Sequence, residues 1–295
     1  MPEINNGYLS EGQAHGLQIA DECATLTRAL VMAKFRLDVL LTKKGLVESR
    51  NRAQALIMAG KVRVDGQIIT KPGAQISNEA EISIEQDLPY VSRGGIKLAA
   101  ALDVFKIDPS GTICADVGAS TGGFTDVLLQ RGAARVYAID VGYGQLDWKL
   151  RQNEQVVVME RTNARYLEML PEPVNLVTID ASFISLKLIL PVVKKWLAIP
   201  SLVVALVKPQ FEAGRTQVGK GGVVRDKTVH RQVLENTINY ASEAEFTVLG
   251  IILSPITGPA GNHEFLICLG WKATQSSIEV ERAIEDCLAQ LYPLV

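Results

Sequence analysis

The sequence predicts an α/β chain: a mainly parallel, seven-stranded sheet covered by helices and preceded by a small α+β unit. Three observations carry this. Apolar runs at 112–118, 135–141, 155–159, 174–180, 201–208, 246–254 and 263–271 are mostly separated by amphipathic segments near 123–131, 145–151, 185–197, 227–242 and 277–291. Alternation of this kind builds a parallel sheet buried on both faces. The first run leads through Gly118-Ala-Ser-Thr-Gly-Gly123 into a helical pattern, so a glycine loop joins strand to helix. Upstream, Lys61-Val-Arg-Val-Asp-Gly-Gln-Ile-Ile-Thr70 alternates around Asp65-Gly66, a hairpin signal outside the α/β region.

Composition sets the bounds. A chain of 295 residues with 47% hydrophobic content can bury a core for one large domain plus a small one. The net charge of −2 leaves any nucleic-acid affinity to a local patch. Four widely spaced cysteines form no C-x-x-C pair, and the two that sit inside apolar strand patterns read as reduced, buried thiols. With three histidines and no H-E-x-x-H, no metal site is expected. No apolar run approaches the ~20 residues of a membrane span, and no secretory signal is visible. The expected location is therefore cytoplasmic, with no membrane partner and no obligate protein partner.

Residues 1–33 are polar and receive no function; Met32-Ala-Lys-Phe-Arg36 resembles a natural start, so the extension reads as dispensable or disordered. Residues 34–88 form the small unit. Leu37, Leu40 and Leu41 have helical spacing closed by Gly45, and Ser49 is the expected N-cap of a helix carrying Ala53, Leu56 and Ile57. Glu81-Ile-Ser-Ile-Glu85 is a further strand. Arg36, Lys43, Lys44, Arg50, Arg52, Lys61, Arg63 and Lys71 face only Asp38, Glu48 and Asp65 over this stretch. Several of these cations flank the second helix and the following strand, where they can converge on phosphates. Residues 89–96 read as a linker marked by Pro89, Gly94 and Gly95, and 97–295 as the large domain. Leu98, Leu102 and Phe105 repeat as a helix face, with Lys97 on its flank and nothing local to distinguish it from a surface lysine.

Ligands of parallel sheets gather at the carboxyl ends of the strands. Here those ends supply Asp116 and Gly118, then Asp140, then Arg161-Thr-Asn163, then Asp180, then Lys208. The last strand, being antiparallel, starts at the same edge with Asn262-His-Glu264. Charges at buried strand ends are costly unless used. The glycines let a ligand approach the backbone, and Asp140 can hold a ribose diol. A G-x-G-x-x-G fingerprint is missing, which argues against a dinucleotide. The acid two residues before the first glycine, with Asp140, instead resembles a class I S-adenosylmethionine methyltransferase of Rossmann-like fold. The stretch from Gln210 to Arg225 is long, glycine-rich and basic, either a closing loop or a mobile surface loop.

Two resemblances sharpen this. Arg36-Leu-Asp, Ser49-Arg-x-x-Ala53 and Gly60-x-Val-x-Val-x-Gly66 resemble the S-four RNA-binding domain. Six further motifs, taken together, resemble the TlyA family of hemolysin A-like proteins, with an S-four domain and an FtsJ-type 2′-O-ribose methyltransferase domain. They are Ser92-Arg-Gly-Gly-x-Lys97-Leu, Asp116-Val-Gly-Ala-Ser-Thr-Gly-Gly-Phe-Thr-Asp126, Asp140-Val-Gly-Tyr-Gly-Gln-Leu, Asp180-x-Ser-Phe-Ile-Ser-Leu186, Val207-Lys-Pro-Gln-Phe-Glu212 and Gly261-Asn-x-Glu264-Phe. The resemblance implies methylation of ribosomal RNA riboses from S-adenosyl-L-methionine, on one or both ribosomal subunits. It puts a catalytic Lys-Asp-Lys-Glu tetrad on Lys97, Asp180, Lys208 and Glu264. The cofactor would lie against Asp116, Gly118, Ser120, Thr121, Gly122, Gly123, Phe124, Asp140, Asn163 and Asp180. Arg93, Arg215 and Lys220 join the cations of the small unit as RNA contacts. Lys208 would act as a neutral base toward the 2′-hydroxyl or as a charged stabiliser of its oxyanion. The rival readings are an inactive RNA-binding assembly factor and a membrane-acting hemolysin.

Overall fold

The computed structural model describes residues 34–84, 88–274 and 277–292; the extension at 1–33 lies outside them. The chain divides into two compact units between Asp87 and Leu88.

In the first unit, β1 (Lys34–Arg36) runs into α1 (Leu37–Lys43), followed by α2 (Arg50–Met58), the hairpin β2 (Val62–Val64) and β3 (Gln67–Ile68), then β4 (Gln75–Ser77) and β5 (Ile82–Ile84). Ser49 caps α2 by accepting from the Arg52 amide at 3.2 Å, as its sequence position predicts. β2 pairs antiparallel with both β3 and β5, and β1 pairs with β4. The β1–β4 ribbon is absent from the sequence expectations, because Gln75-Ile-Ser77 carries a single apolar residue. Leu37, Leu41, Ala53, Ile57 and Val62 form the unit's own core.

The second unit opens with α3 (Gly94–Phe105), so the helix already begins inside the segment read as a linker. Gly95 permits this start, because a Cβ there would lie 2.4 Å from the Tyr90 ring. Then come β6 (Ile113–Val117), α4 (Gly123–Gln130), β7 (Arg135–Ile139), α5 (Trp148–Arg151), β8 (Val156–Met159), β9 (Val174–Ile179), α6 (Leu186–Val193), β10 (Leu197–Val207), α7 (Pro209–Glu212), α8 (Lys227–Glu243), β11 (Thr247–Leu253), β12 (Phe265–Trp271) and α9 (Val280–Leu291). Seven strands order as β11-β12-β10-β9-β6-β7-β8. β12 is antiparallel to both β10 and β11, and the remaining pairs are parallel. One face is closed by α3 and α4 through Leu98, Leu102, Phe124 and Leu128. The other is closed by α6, α8 and α9 through Ile189, Leu190, Val233 and Leu288. The chain travels outward from β6 through β7 to β8 and then returns to β9 on the other side of β6. This reversal opens a crevice at the carboxyl ends of β6 and β9, where open α/β sheets bind ligands.

Candidate active site

Gly118 follows β6 with φ +84°, and a Cβ on it would meet the Asp180 carbonyl oxygen at 2.7 Å. The two strand ends are laced together by the Asp180 amide, which donates to the Val117 carbonyl at 2.9 Å. Glycine at 118 is thus required twice, by its left-handed backbone and by the close approach of the neighbouring strand end.

Two cavities adjoin at this crevice. The first, about 230 Å³, is lined by Arg93, Lys97, the loop residues Gly118, Ser120, Thr121, Gly123 and Phe124, then Asp180, Lys208 and Glu264. All four tetrad positions therefore reach one cavity. The second, about 290 Å³, holds Asp140 and Asn163 with an apolar wall of Val117, Ile139, Ile184 and Ile189. Gly118, Ser120, Asp180 and Ser182 line both, so they form the seam between the two.

The four charges stand as two pairs. Lys97 Nζ lies 2.5 Å from Glu264 Oε2, with both side chains almost fully buried. Lys208 Nζ lies 2.6 Å from Asp180 Oδ1 and donates to the Ser182 hydroxyl at 2.8 Å. The strand ends alone suggest Asp180, Lys208 and Glu264, whereas Lys97 needs the fold. α3 delivers it to an acid 167 residues away in the chain. Glu264 is seated against Gly258, where a Cβ would come within 2.6 Å of its Oε1. Ile256, Thr257 and Pro259 of that same turn line the first cavity, and no sequence signal marks them.

Asp140 is tied to the glycine loop. Its carboxylate accepts from the Ser120 amide at 2.8 Å and the Gly142 amide at 2.6 Å. Each carboxylate oxygen has a second lone pair, so capacity remains for a hydroxyl pair from the second cavity.

Two of the predicted cofactor contacts line neither cavity. Asp116 is fully buried beneath the loop, where Thr125 donates to Oδ2 at 2.7 Å and Thr178 to Oδ1 at 3.1 Å. Burial, against the pull of both hydroxyls, raises its carboxyl to about 7. It therefore braces β6, α4 and β9 from behind. Gly122, at φ +96°, packs against Leu146 and Leu150 instead of facing the ligand space.

The glycine-rich segment after α7 is anchored. Asn262 accepts from the Val224 amide at 2.9 Å and donates to the Gly222 carbonyl at 2.8 Å. Glu212, raised above the ordinary glutamate range by burial, accepts from Ser185 and the Leu186 amide and so fixes the start of α6. Arg215 and Lys220 are exposed on this segment and line neither cavity. Two exposed side chains that sequence reading left unassigned, Val141 and Phe183, line the second cavity, and Phe183 is 90% exposed. Arg161, read from the sequence as a strand-end residue, lies outside that lining and stacks on Tyr143 at 4.3 Å.

Within the first unit, Asp38 is buried and gathers Arg36 at 3.1 Å, Arg50 at 2.9 Å and Gln54 at 2.8 Å. The Arg36 guanidinium, ahead of the opposing effect of burial, holds its carboxyl well below the usual range. Lys43 lies over the Phe35 ring at 4.3 Å, Lys44 donates to the Ala80 carbonyl, and Arg63 to the Gly66 carbonyl. Arg36, Lys43, Lys44, Arg50, Arg52, Arg63 and Lys71 are exposed, and Lys61 is half-buried.

A crevice with a glycine loop, a strand-end acid and paired lysines defines a methyltransferase of the FtsJ class, and the FtsJ-like methyltransferase family model matches residues 90–271. The S4 domain model matches 35–82. The chain belongs to the TlyA family, in which these two domains are joined. The 16S/23S rRNA (cytidine-2′-O)-methyltransferase TlyA of Mycobacterium tuberculosis is 44% identical over 258 residues, covering 86% of this chain and 95% of the relative. Hemolysin A of Brachyspira hyodysenteriae is 42% identical over 234 residues, covering 78% and 98%. A solved structure from Streptococcus thermophilus, described as a candidate hemolysin, superposes with a TM-score of 0.68 at 47% identity, covering 88% of this chain and 96% of that one. Among the described residues, no helix is long and apolar enough to cross a membrane, and no three metal-ligating side chains are gathered.

Proposed function

We propose that this protein transfers a methyl group from S-adenosyl-L-methionine to a ribose 2′-hydroxyl of ribosomal RNA. The observation that carries the reading is the two lysine–carboxylate pairs, both lysines buried, on a cavity that adjoins a second one through a shared seam. The donor fits the residues present. Asp140 retains acceptor capacity for a ribose diol, the apolar wall with Asn163 suits a base, and the Gly118–Gly123 loop leaves room for an amino-acid moiety. When bound, the donor supplies a methyl group already activated by positive sulfur.

The chain must make a weakly nucleophilic hydroxyl reactive and hold it in line. Lys208 is placed to polarise the hydroxyl and to take up negative charge as the new C–O bond forms. It would act as a neutral base or as a charged stabiliser of the oxyanion, with the Asp180 carboxylate 2.6 Å away. Lys97 and Glu264 neutralise one another and close the far wall of the cavity. The basic first unit supplies phosphate contacts, which suits a structured RNA recognised by backbone and shape. Arg93 at the first cavity and Arg215 and Lys220 on the loop would add to these. Action on ribosomal RNA would fit the cytoplasmic location expected from the sequence.

Transfer of tritiated methyl from S-adenosylmethionine to isolated small and large ribosomal subunits tests this. Label in RNA from one or both subunits is expected. Lack of label in both, with the donor bound, would leave an RNA-binding protein without this activity.

A further inference from the structure

The ammonium of Lys208 has three protons and a definite set of acceptors. Asp180 Oδ1 is 2.6 Å away, Ser182 Oγ 2.8 Å, and the Asp180 carbonyl oxygen 3.4 Å. Ser182 holds one corner well and the Asp180 carbonyl a second one weakly, while the Asp180 carboxylate contributes its charge at 2.6 Å without a hydrogen bond. Ser182 stands on the seam, since it lines both cavities. The residue is exposed, and among the described residues its side-chain oxygen meets only Lys208. Lys208 itself is 9% exposed. The neighbouring charges do not compete for this corner. Glu264 is engaged by Lys97, and Glu212 by Ser185 and the Leu186 amide.

We propose that Ser182 is a positioning residue for methyl transfer. Together with the weaker contact to the Asp180 carbonyl it restricts the rotation of the Lys208 nitrogen, so that the remaining corner faces the incoming ribose hydroxyl. The remaining corner can present an N–H or a lone pair to the hydroxyl. A hydroxyl suits this place because it accepts the N–H without adding a second negative charge. This inference rests on the proposed methyl transfer and adds a residue to it.

The test compares wild type, Ser182→Ala and Ser182→Thr in methyl transfer to isolated ribosomal subunits, with S-adenosylmethionine affinity measured by calorimetry. Loss of one orienting hydrogen bond is expected to lower kcat about tenfold in Ser182→Ala. KM for the subunit and donor affinity should stay within about twofold, and Ser182→Thr should recover most of the rate. An unchanged kcat in Ser182→Ala, or a loss explained by weaker donor binding, overturns the role of Ser182. A wild-type protein that transfers no methyl would instead overturn the methyltransferase reading itself. Should Ser182→Ala fold poorly, the threonine variant decides: full activity supports the hydroxyl, and tenfold loss with unaltered stability contradicts it.

Discussion

Both units bury a carboxylate among cations, and they use it in opposite ways. In the first, Asp38 is fully buried while its partners Arg36 and Arg50 keep about half their side chains in solvent. The acid is a hub that holds outward-facing cations at fixed spacing. In the second, the lysines are buried, Lys97 at 6% and Lys208 at 9% exposure, Glu264 is buried with them and Asp180 is half-buried. A cation hidden in this way gives little to long-range attraction of a polyanion. It gains strength toward a group brought into the same dry cavity. The exposed set suits binding, and the buried set suits chemistry.

The strongest way to break this contrast is at Lys208. Lys208→Ala should lower methyl transfer by about 10³-fold while donor affinity and subunit affinity hold. A comparable loss of subunit affinity would mean that Lys208 serves binding.

Next comes Asp116, the buried acid that touches neither set. Its carboxyl is raised from 3.8 to about 7, so the folded state keeps a proton that the unfolded chain has released. Stability contributed by this group is full below about pH 4 and falls as pH rises toward 7, by roughly 4 kcal/mol. Asp116→Asn should remove that slope, so the difference in Tm between pH 5 and pH 8 should shrink. Equal slopes in the two proteins would contradict it.

Asp38→Asn should destabilise the first unit by about 2 kcal/mol, because two arginines and Gln54 lose a common acceptor. Subunit affinity should fall, with S-adenosylmethionine affinity unchanged by calorimetry. The smallest effect is expected from single exposed cations. Lys43→Ala or Lys71→Ala should weaken subunit binding modestly and reduce the slope of log affinity against log salt by about 1.

The large sheet was legible because seven apolar runs spaced by helical patterns leave few alternatives, and the antiparallel end followed from a connection too short for a crossover helix. β1 and β4 were not legible, since three-residue strands with one apolar position each carry no period. The site was legible where strand ends supply it, at Asp140, Asp180, Lys208 and Glu264. Lys97 escaped residue-level reading because nothing near it in the chain marks it, and the resemblance to TlyA proteins alone singled it out. Asp116, expected against the cofactor, lines neither cavity for a related reason. A strand-end acid looks ligand-facing until Thr125 and Thr178, 9 and 62 residues away, turn it inward. Ser182 and Phe183 were visible as part of a motif but had no role until the seam between the cavities appeared.

The central claim is that the two lysine–carboxylate pairs act on a ribose hydroxyl. The most direct measurement is nucleoside mass spectrometry of RNA from ribosomal subunits incubated with the protein and S-adenosylmethionine. A nucleoside carrying the added methyl on its ribose is the expected product; a methyl on the base, or none at all, would contradict the claim.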